Sequence, residues 1–165
     1  MSEDCGFTKN NAWFRYRAGA ILVRDGRMLF VKSIYGGYYY MVGGAVQLGE
    51  TSEECVERET FEETGVRCKA DRLAIVCENL FRGHGGAIDE KDCHVLEFYY
   101  LVNAPANATF NPANDEGEEL VWVPLTEIAD WDIRPAFLRT KLSEVFAGAP
   151  LIHVINRENG NGKSE

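Results

Sequence analysis

Between a glycine pair at Gly43-Gly44 and a lone Gly65 the chain carries GAVQLGETSEECVERETFEETGV, Gly44 to Val66, a stretch with seven glutamates. Thr51 and Glu54 have the spacing of a capping box, which predicts a helix starting there, and Gly65 suits the left-handed residue that ends one. At about 3.6 residues per turn, Glu59 meets Glu62 and Glu63 on one helix face, so three carboxylates converge. Like charges at that spacing destabilise an isolated helix by roughly 0.2–0.5 kcal/mol per pair. Solvation of an acidic face can offset this, and so can a hard divalent cation, which prefers oxygen ligands. Arg58 immediately precedes the set and is expected to orient one carboxylate through a forked salt bridge.

The order of the whole segment resembles the signature of the Nudix hydrolases, GX5EX7REUXEEXGU with U apolar. The seven fixed positions fall on Gly44, Glu50, Arg58, Glu59, Glu62, Glu63 and Gly65. The departure is Thr60, where the pattern has an aliphatic residue; its hydroxyl is expected to affect packing more than chemistry. A looser resemblance extends from Ala18 to Phe146. It implies an α/β fold, the Nudix α/β/α sandwich with a mixed central β-sheet and the box helix against one sheet face.

The resemblance also implies an enzyme: a metal-dependent pyrophosphohydrolase that uses Mg²⁺, or Mn²⁺ in its place. Clustered carboxylates with a backbone carbonyl make a hard-oxygen site suited to either ion. The expected metal ligands are the Gly44 carbonyl, Glu59, Glu62 and Glu63, with Glu62 acting as ligand or proton acceptor and Glu50 and Arg58 as supports. The catalytic set is Glu62, Arg58 and an acidic residue ahead of a Trp-containing strand, with Glu119 first and Glu116 second. The expected substrate is a nucleoside diphosphate linked to another moiety: an ADP-ribose-like compound, a nucleotide sugar or a (deoxy)nucleoside triphosphate. ENLF, HVLEFYYLV and LIHVINRE look like a bacterial ADP-ribose pyrophosphatase-like subgroup. The marker Pro or Tyr of some subgroups is absent, since its window reads Arg82-Gly83-His84. The other reading is a non-hydrolysing Nudix domain that binds a nucleotide metabolite as a sensor, although no charged box position is lost here.

Composition narrows the classes further. The 165 residues are one domain's worth, 45% apolar and 26% charged, with a net charge of −9. That balance disfavours nucleic acid and anionic membranes as partners, while a metal can still invert the local field for a phosphate substrate. Five cysteines, Cys5, Cys55, Cys68, Cys77 and Cys93, form no CxxC, and free thiols in a reducing cytoplasm account for them. The polar N-terminus lacks an apolar signal-peptide region, and no apolar run is long enough for a membrane span.

Residues 1–12 read as a flexible arm, 13–156 as a single Nudix hydrolase domain and 157–165 as a flexible tail. From Phe14 to Ser33 two strands flank the hairpin signal Asp25-Gly26, with Ile21, Val23, Leu29 and Val31 apolar. Arg17 and Arg15 lie in the first strand, either as solvent-facing cations or as contacts to a substrate phosphate or base. Tyr40, in the short strand Tyr38–Val42, is a candidate to stack on a base, or an edge aromatic with no ligand. The glycine-rich loop Arg82–Asp92 carries His84, a candidate substrate-binding acid or base or a merely solvated side chain. His94–Val102 reads as a central strand, Leu120–Pro124 as a further strand, Arg134–Ala147 as a helix with Phe137, Leu138, Leu142, Val145 and Phe146 on its apolar face, and Leu151–Asn156 as an edge strand. A homodimer is left open, with the first hairpin or the C-terminal strand available to form it.

Overall fold

Asp25-Gly26 turns the chain with both residues in the left-handed region, φ 50° and 72°, as a two-residue hairpin requires. The turn joins β2 (Ala12–Arg24) to β3 (Arg27–Lys32), pairing Val23 with Met28 and Arg24 with Arg27. The computed structural model describes residues 2–158. The remaining elements are β1 (Gly6–Lys9), β4 (Tyr39–Tyr40), β5 (Gly43–Ala45), α1 (Ser52–Thr64), β6 (Lys69–Arg82), β7 (Asp92–Asn103), β8 (Leu120–Pro124), α2 (Leu138–Phe146) and β9 (Ile152–Arg157).

The sheet runs β4-β3-β2-β7-β6-β9, with β1 and β5 also on β2 and β8 on β3. β2–β7 and β6–β9 are parallel and the other pairs antiparallel, so the sheet is mixed. β7 lies between β2 and β6, the central place its apolar sequence predicts. Along one edge of β2 the partners change from β1 to β5 to β3, and the sheet parts between the last two. Gly43 and Gly44 open β5 at that parting, where the chain turns into the strand with Gly43 at φ 148°.

One helix covers each face. α1 buries Cys55, Val56, Thr60 and Thr64 against Ala18, Ala20, Val42 and Val102. α2 buries Leu138, Leu142 and Val145 against Ile21, Phe30, Ile75 and Tyr99. Burying each Leu or Val contributes about 1.5–3 kcal/mol. Thr60 is fully buried, and its hydroxyl donates to the Val56 carbonyl at 2.6 Å. The helix therefore satisfies the hydroxyl internally where the family pattern has an aliphatic residue.

Three boundaries differ from the sequence reading. The N-terminal arm supplies β1, antiparallel on β2, with Phe7 stacked on Phe14 at 5.4 Å and the Cys5 amide donating to the Val46 carbonyl. The open edge of β2 offers backbone partners that a polar composition does not reveal. α2 starts at Leu138 rather than Arg134, because Pro135 has no N–H and its carbonyl closes a turn onto the Leu138 amide. β9 runs to Arg157, and the Glu158 amide donates to Leu80, so residues 157 and 158 of the expected tail are held to the sheet; residues 159–165, the rest of that expectation, lie outside the described residues. Among the described residues no helix is long and apolar enough to cross a membrane.

Candidate active site

α1 opens on the expected capping box: the Glu54 amide donates to the Thr51 hydroxyl and the Thr51 amide to the Glu54 carboxylate. It closes at Gly65, φ 74°. The structure then separates the seven glutamates by what they touch. Glu54 caps the helix. Glu57 accepts from Lys69 and from the Ala70 amide, fastening α1 to the start of β6. Glu53 is exposed. Glu50, Glu59, Glu62 and Glu63 gather around Arg58 and the Gly43-Gly44 turn.

Arg58 places all five of its N–H donors. Nε and Nη2 fork onto Glu50 at 2.7 and 2.9 Å, and Nη2 also reaches the Ala45 carbonyl at 3.1 Å. Nη1 bridges Glu59 at 2.6 Å and Glu62 at 3.0 Å. Hydrogen bonds from Arg58 hold Glu50 below the usual carboxylate range and keep Arg58 itself charged. Among the described residues no three His, Cys, Asp or Glu side chains form a ready cation cage. Arg58 stands between Glu59 and Glu62, so the carboxylate convergence expected from helix spacing is bridged by a guanidinium.

Two observations nonetheless fit a hard divalent ion. Glu63 is 8% exposed; its Oε1 accepts the Gly43 amide at 3.2 Å, while its buried Oε2 has no hydrogen-bond partner. Burial pushes its carboxyl up to about 8, and the charges of Glu59 and Asp115 push the same way. The Glu59 carboxyl, also raised by burial, lies directly over Gly44. A Cβ at Gly44 would come within 2.4–2.5 Å of that carboxylate. Glycine there leaves room for a cradle: the Glu59 carboxylate lies over Gly44, and Glu63 is held one residue away on the Gly43 amide. Cys55 also adjoins the turn, 3.3 Å from the Ala45 carbonyl, but burial raises its thiol to about 12, which removes it as a nucleophile.

The two glycines make separable predictions. Gly43 has φ 148°, and a Cβ there would fall 2.1 Å from the Ala18 carbonyl oxygen. Gly43→Ala must move backbone and is expected to cost about 3 kcal/mol or more in a denaturant melt. Gly44→Ala meets only the end of a flexible side chain. It is expected to leave stability within about 1 kcal/mol while displacing Glu59 and lowering metal affinity about tenfold or more.

Arg17 lies beneath the turn, donating to the Met41 carbonyl at 2.9 Å and the Gly43 carbonyl at 3.4 Å. It pairs with the buried Glu97 at 3.5 Å. Glu97 in turn accepts from Asn79, which accepts from Asn156. Tyr40 faces Arg17, Cζ 6.0 Å from its ring centre, and donates its hydroxyl to Glu118. So Arg17 and Tyr40 reach the box turn, but as parts of its support.

The structure does not bring His84 or Glu119 to this group. His84 is exposed in its loop, and Glu119 is 63% exposed and paired with Lys32 at 3.6 Å. Glu116 is exposed, and Arg15 pairs with Asp4. The buried acid ahead of β8 is Glu118, and the loop charge acting on Glu63 is that of Asp115. Strand parity would have found Glu118: it lies two residues before the buried Leu120, on the same face, while Glu119 points away. Glu97 has a comparable signal as the one acidic residue inside the apolar run His94–Val102.

Comparison with known proteins agrees with this geometry. The NUDIX domain family profile matches residues 13–141. A MutT-like protein of Streptomyces ambofaciens is 41% identical over 66 residues, covering 40% of this chain and 43% of that one. A putative 8-oxo-dGTP diphosphatase 3 of Mycobacterium tuberculosis is 30% identical over 139 residues, covering 76% of this chain and 59% of that one. The chain thus spans less than two thirds of the length of these relatives. The crystal structure of the MutT mutator protein of Bacillus halodurans superposes with a TM-score of 0.69 at 16% identity, over 91% of this chain and 94% of that one, a likeness of fold. With the box helix, its glycine turn and the mixed sheet all in place, the chain belongs to the Nudix domain family.

Proposed function

We propose that the chain is a divalent-metal-dependent pyrophosphohydrolase that cleaves the diphosphate of a nucleoside diphosphate linked to another moiety. The observation that carries this reading is the unpartnered, buried Oε2 of Glu63 beside a Glu59 carboxylate seated over Gly44. A buried acid oxygen without a partner costs free energy, and an oxygen-preferring cation would satisfy it. Glu59, Glu63 and the Gly44 carbonyl would hold the ion, Mg²⁺ or Mn²⁺. When bound, it neutralises phosphate charge and lowers the pKa of water. Glu62, 48% exposed and paired with Arg58, would take the proton as water attacks phosphorus and the anhydride P–O bond breaks. Glu50 orients Arg58, and Arg58 orients Glu59 and Glu62. Substrate candidates are (deoxy)nucleoside triphosphates, including the oxidised guanine nucleotide for which the mycobacterial relative is named, ADP-ribose-like compounds and nucleotide sugars. Five unpaired thiols fit a reducing compartment such as the cytoplasm.

Incubating the chain with this panel, with Mg²⁺, with Mn²⁺ and with chelator, in ¹⁸O-labelled water, tests the reading. The expected result is metal-dependent hydrolysis of at least one member with label in a phosphate product. Binding without turnover across the panel would replace it with the sensor reading.

A further inference from the structure

Glu118 is outside the box helix, yet its carboxylate joins three segments near the box turn. It is 4% exposed. Its Oε2 accepts the Tyr40 hydroxyl from β4 and the Asn114 side-chain amide at 3.2 Å; its Oε1 faces the Ile34 amide, in the β3–β4 connection, at 3.4 Å. Asn114 accepts the Glu118 amide in return, at 2.8 Å, so residues 114–118 fold into a tight turn around the acid. Burying a carboxylate costs several kcal/mol unless it is well bonded, and this one is bonded on both oxygens, which suits it to hold protein rather than an ion. From Tyr40 the contacts continue inward. The ring faces Arg17, Arg17 donates to the Met41 and Gly43 carbonyls, and the Gly43 amide donates to Glu63.

We propose that Glu118 is a positioning residue: acting through Tyr40 and Arg17, it fixes the Gly43-Gly44 turn against Glu63 and Glu59 and thereby sets the affinity of that cradle for its divalent cation. The inference rests on the proposed metal-dependent reading of the same cradle. It also gives the 113–119 loop a role distinct from that expected of Glu119. A hydrogen bond to the phenol fixes the ring in one orientation, and the ring supplies the face on which the Arg17 guanidinium lies. Without it, Arg17 keeps Glu97 but loses one of the surfaces that aim it at the two carbonyls.

The test compares Tyr40→Phe, Glu118→Gln and their double variant in the full chain. Mn²⁺ binding is measured by electron paramagnetic resonance, and hydrogen exchange of the Gly43 amide by NMR without metal. Each single change is expected to weaken Mn²⁺ binding about tenfold, as loss of outer partners of metal ligands does. The double variant should be no weaker than either single one, because both remove the same link. Gly43 exchange should quicken in all three, and Glu144→Gln, which removes one charge from the exposed side of α2, should match the wild type. Unchanged Mn²⁺ affinity in Tyr40→Phe and Glu118→Gln, with only a lower melting temperature, would overturn the proposal and leave Glu118 a structural tie. If Glu118→Gln does not fold, Tyr40→Phe, which loses one hydroxyl, decides alone. A wild-type chain that binds no Mn²⁺ sinks the metal reading, and with it the affinity claim. The positioning link is then read from Gly43 exchange, which supports it if quickened and refutes it if unchanged.

Discussion

Glu63→Gln is expected to lower kcat by about a hundredfold or more at saturating metal, and to leave the metal-free protein no less stable than the wild type. The two effects share one cause. The Glu63 carboxyl is raised to about 8 from an ordinary value of 4.5, chiefly by burial. The folded state therefore holds a proton that the unfolded chain releases between those values. Stability from this group is fullest below pH 4.5, falls as pH rises through the interval and is lowest above about 8, a drop on the order of a few kcal/mol. A cation that takes the place of the proton offsets the drop. Thermal melts of the wild type should thus show a metal-induced gain that grows from pH 6 to pH 8. Gln at this position cannot ionise, keeps a similar volume and can still accept the Gly43 amide, so its metal-free melt should lack the decline attributable to this group. It should also lose the metal-induced gain along with turnover. Near-native kcat in Glu63→Gln would remove Glu63 from the chemistry, and an undiminished metal-induced gain would remove it from the ion site.

Why the helix-face grouping of Glu63 is readable from sequence while the partners of Glu118 are not is a matter of range. Glu59, Glu62 and Glu63 are related by helix geometry, a local rule that α1 obeys from its Thr51 cap to Gly65. The hairpin at Asp25-Gly26 and the central β7 were legible for the same reason, since turn chemistry and apolar runs are local. What local spacing did not supply was the third dimension. Arg58 reaches Glu50 eight residues back, an ordering suggested only by the box pattern. The Arg17–Glu97 pair depends on the parallel register of β2 and β7, and the Tyr40–Glu118 bond on β8 pairing with β3 beside β4. The 1–12 arm shows the reverse failure: polar residues suggested disorder, and an open strand edge ordered them as β1. Glu119 is the acid nearest the Trp strand, but the two-residue alternation that decides which side chain turns inward selects Glu118.

Arg58 is where the second large effect is expected. Its side chain is 23% exposed, and its guanidinium contacts Glu50 and Glu59, whose side chains are 14% and 15% exposed, as well as the more open Glu62. Arg58→Met keeps much of the aliphatic stem and removes the charge, stranding two poorly solvated carboxylates. Breaking a pair in such a setting costs about 3–5 kcal/mol, which a urea titration without metal would resolve. Arg58→Lys keeps the charge but cannot fork onto Glu50 and also reach Glu59 and Glu62, so it should fall between wild type and Met. Adding Glu50→Gln to Arg58→Met should recover part of the loss, because one stranded charge goes with it. Metal supplies the sharper discrimination. Arg58 is the cation paired with Glu59, so a divalent ion held by Glu59 and Glu63, as proposed, would take over part of that work. Metal should therefore stabilise Arg58→Met by more than it stabilises the wild type, even as kcat falls for want of an oriented Glu59 and Glu62. An equal or smaller metal-induced gain in Arg58→Met would mean that Arg58 and the ion do not share Glu59, and that the arginine serves Glu50 and the Ala45 carbonyl alone.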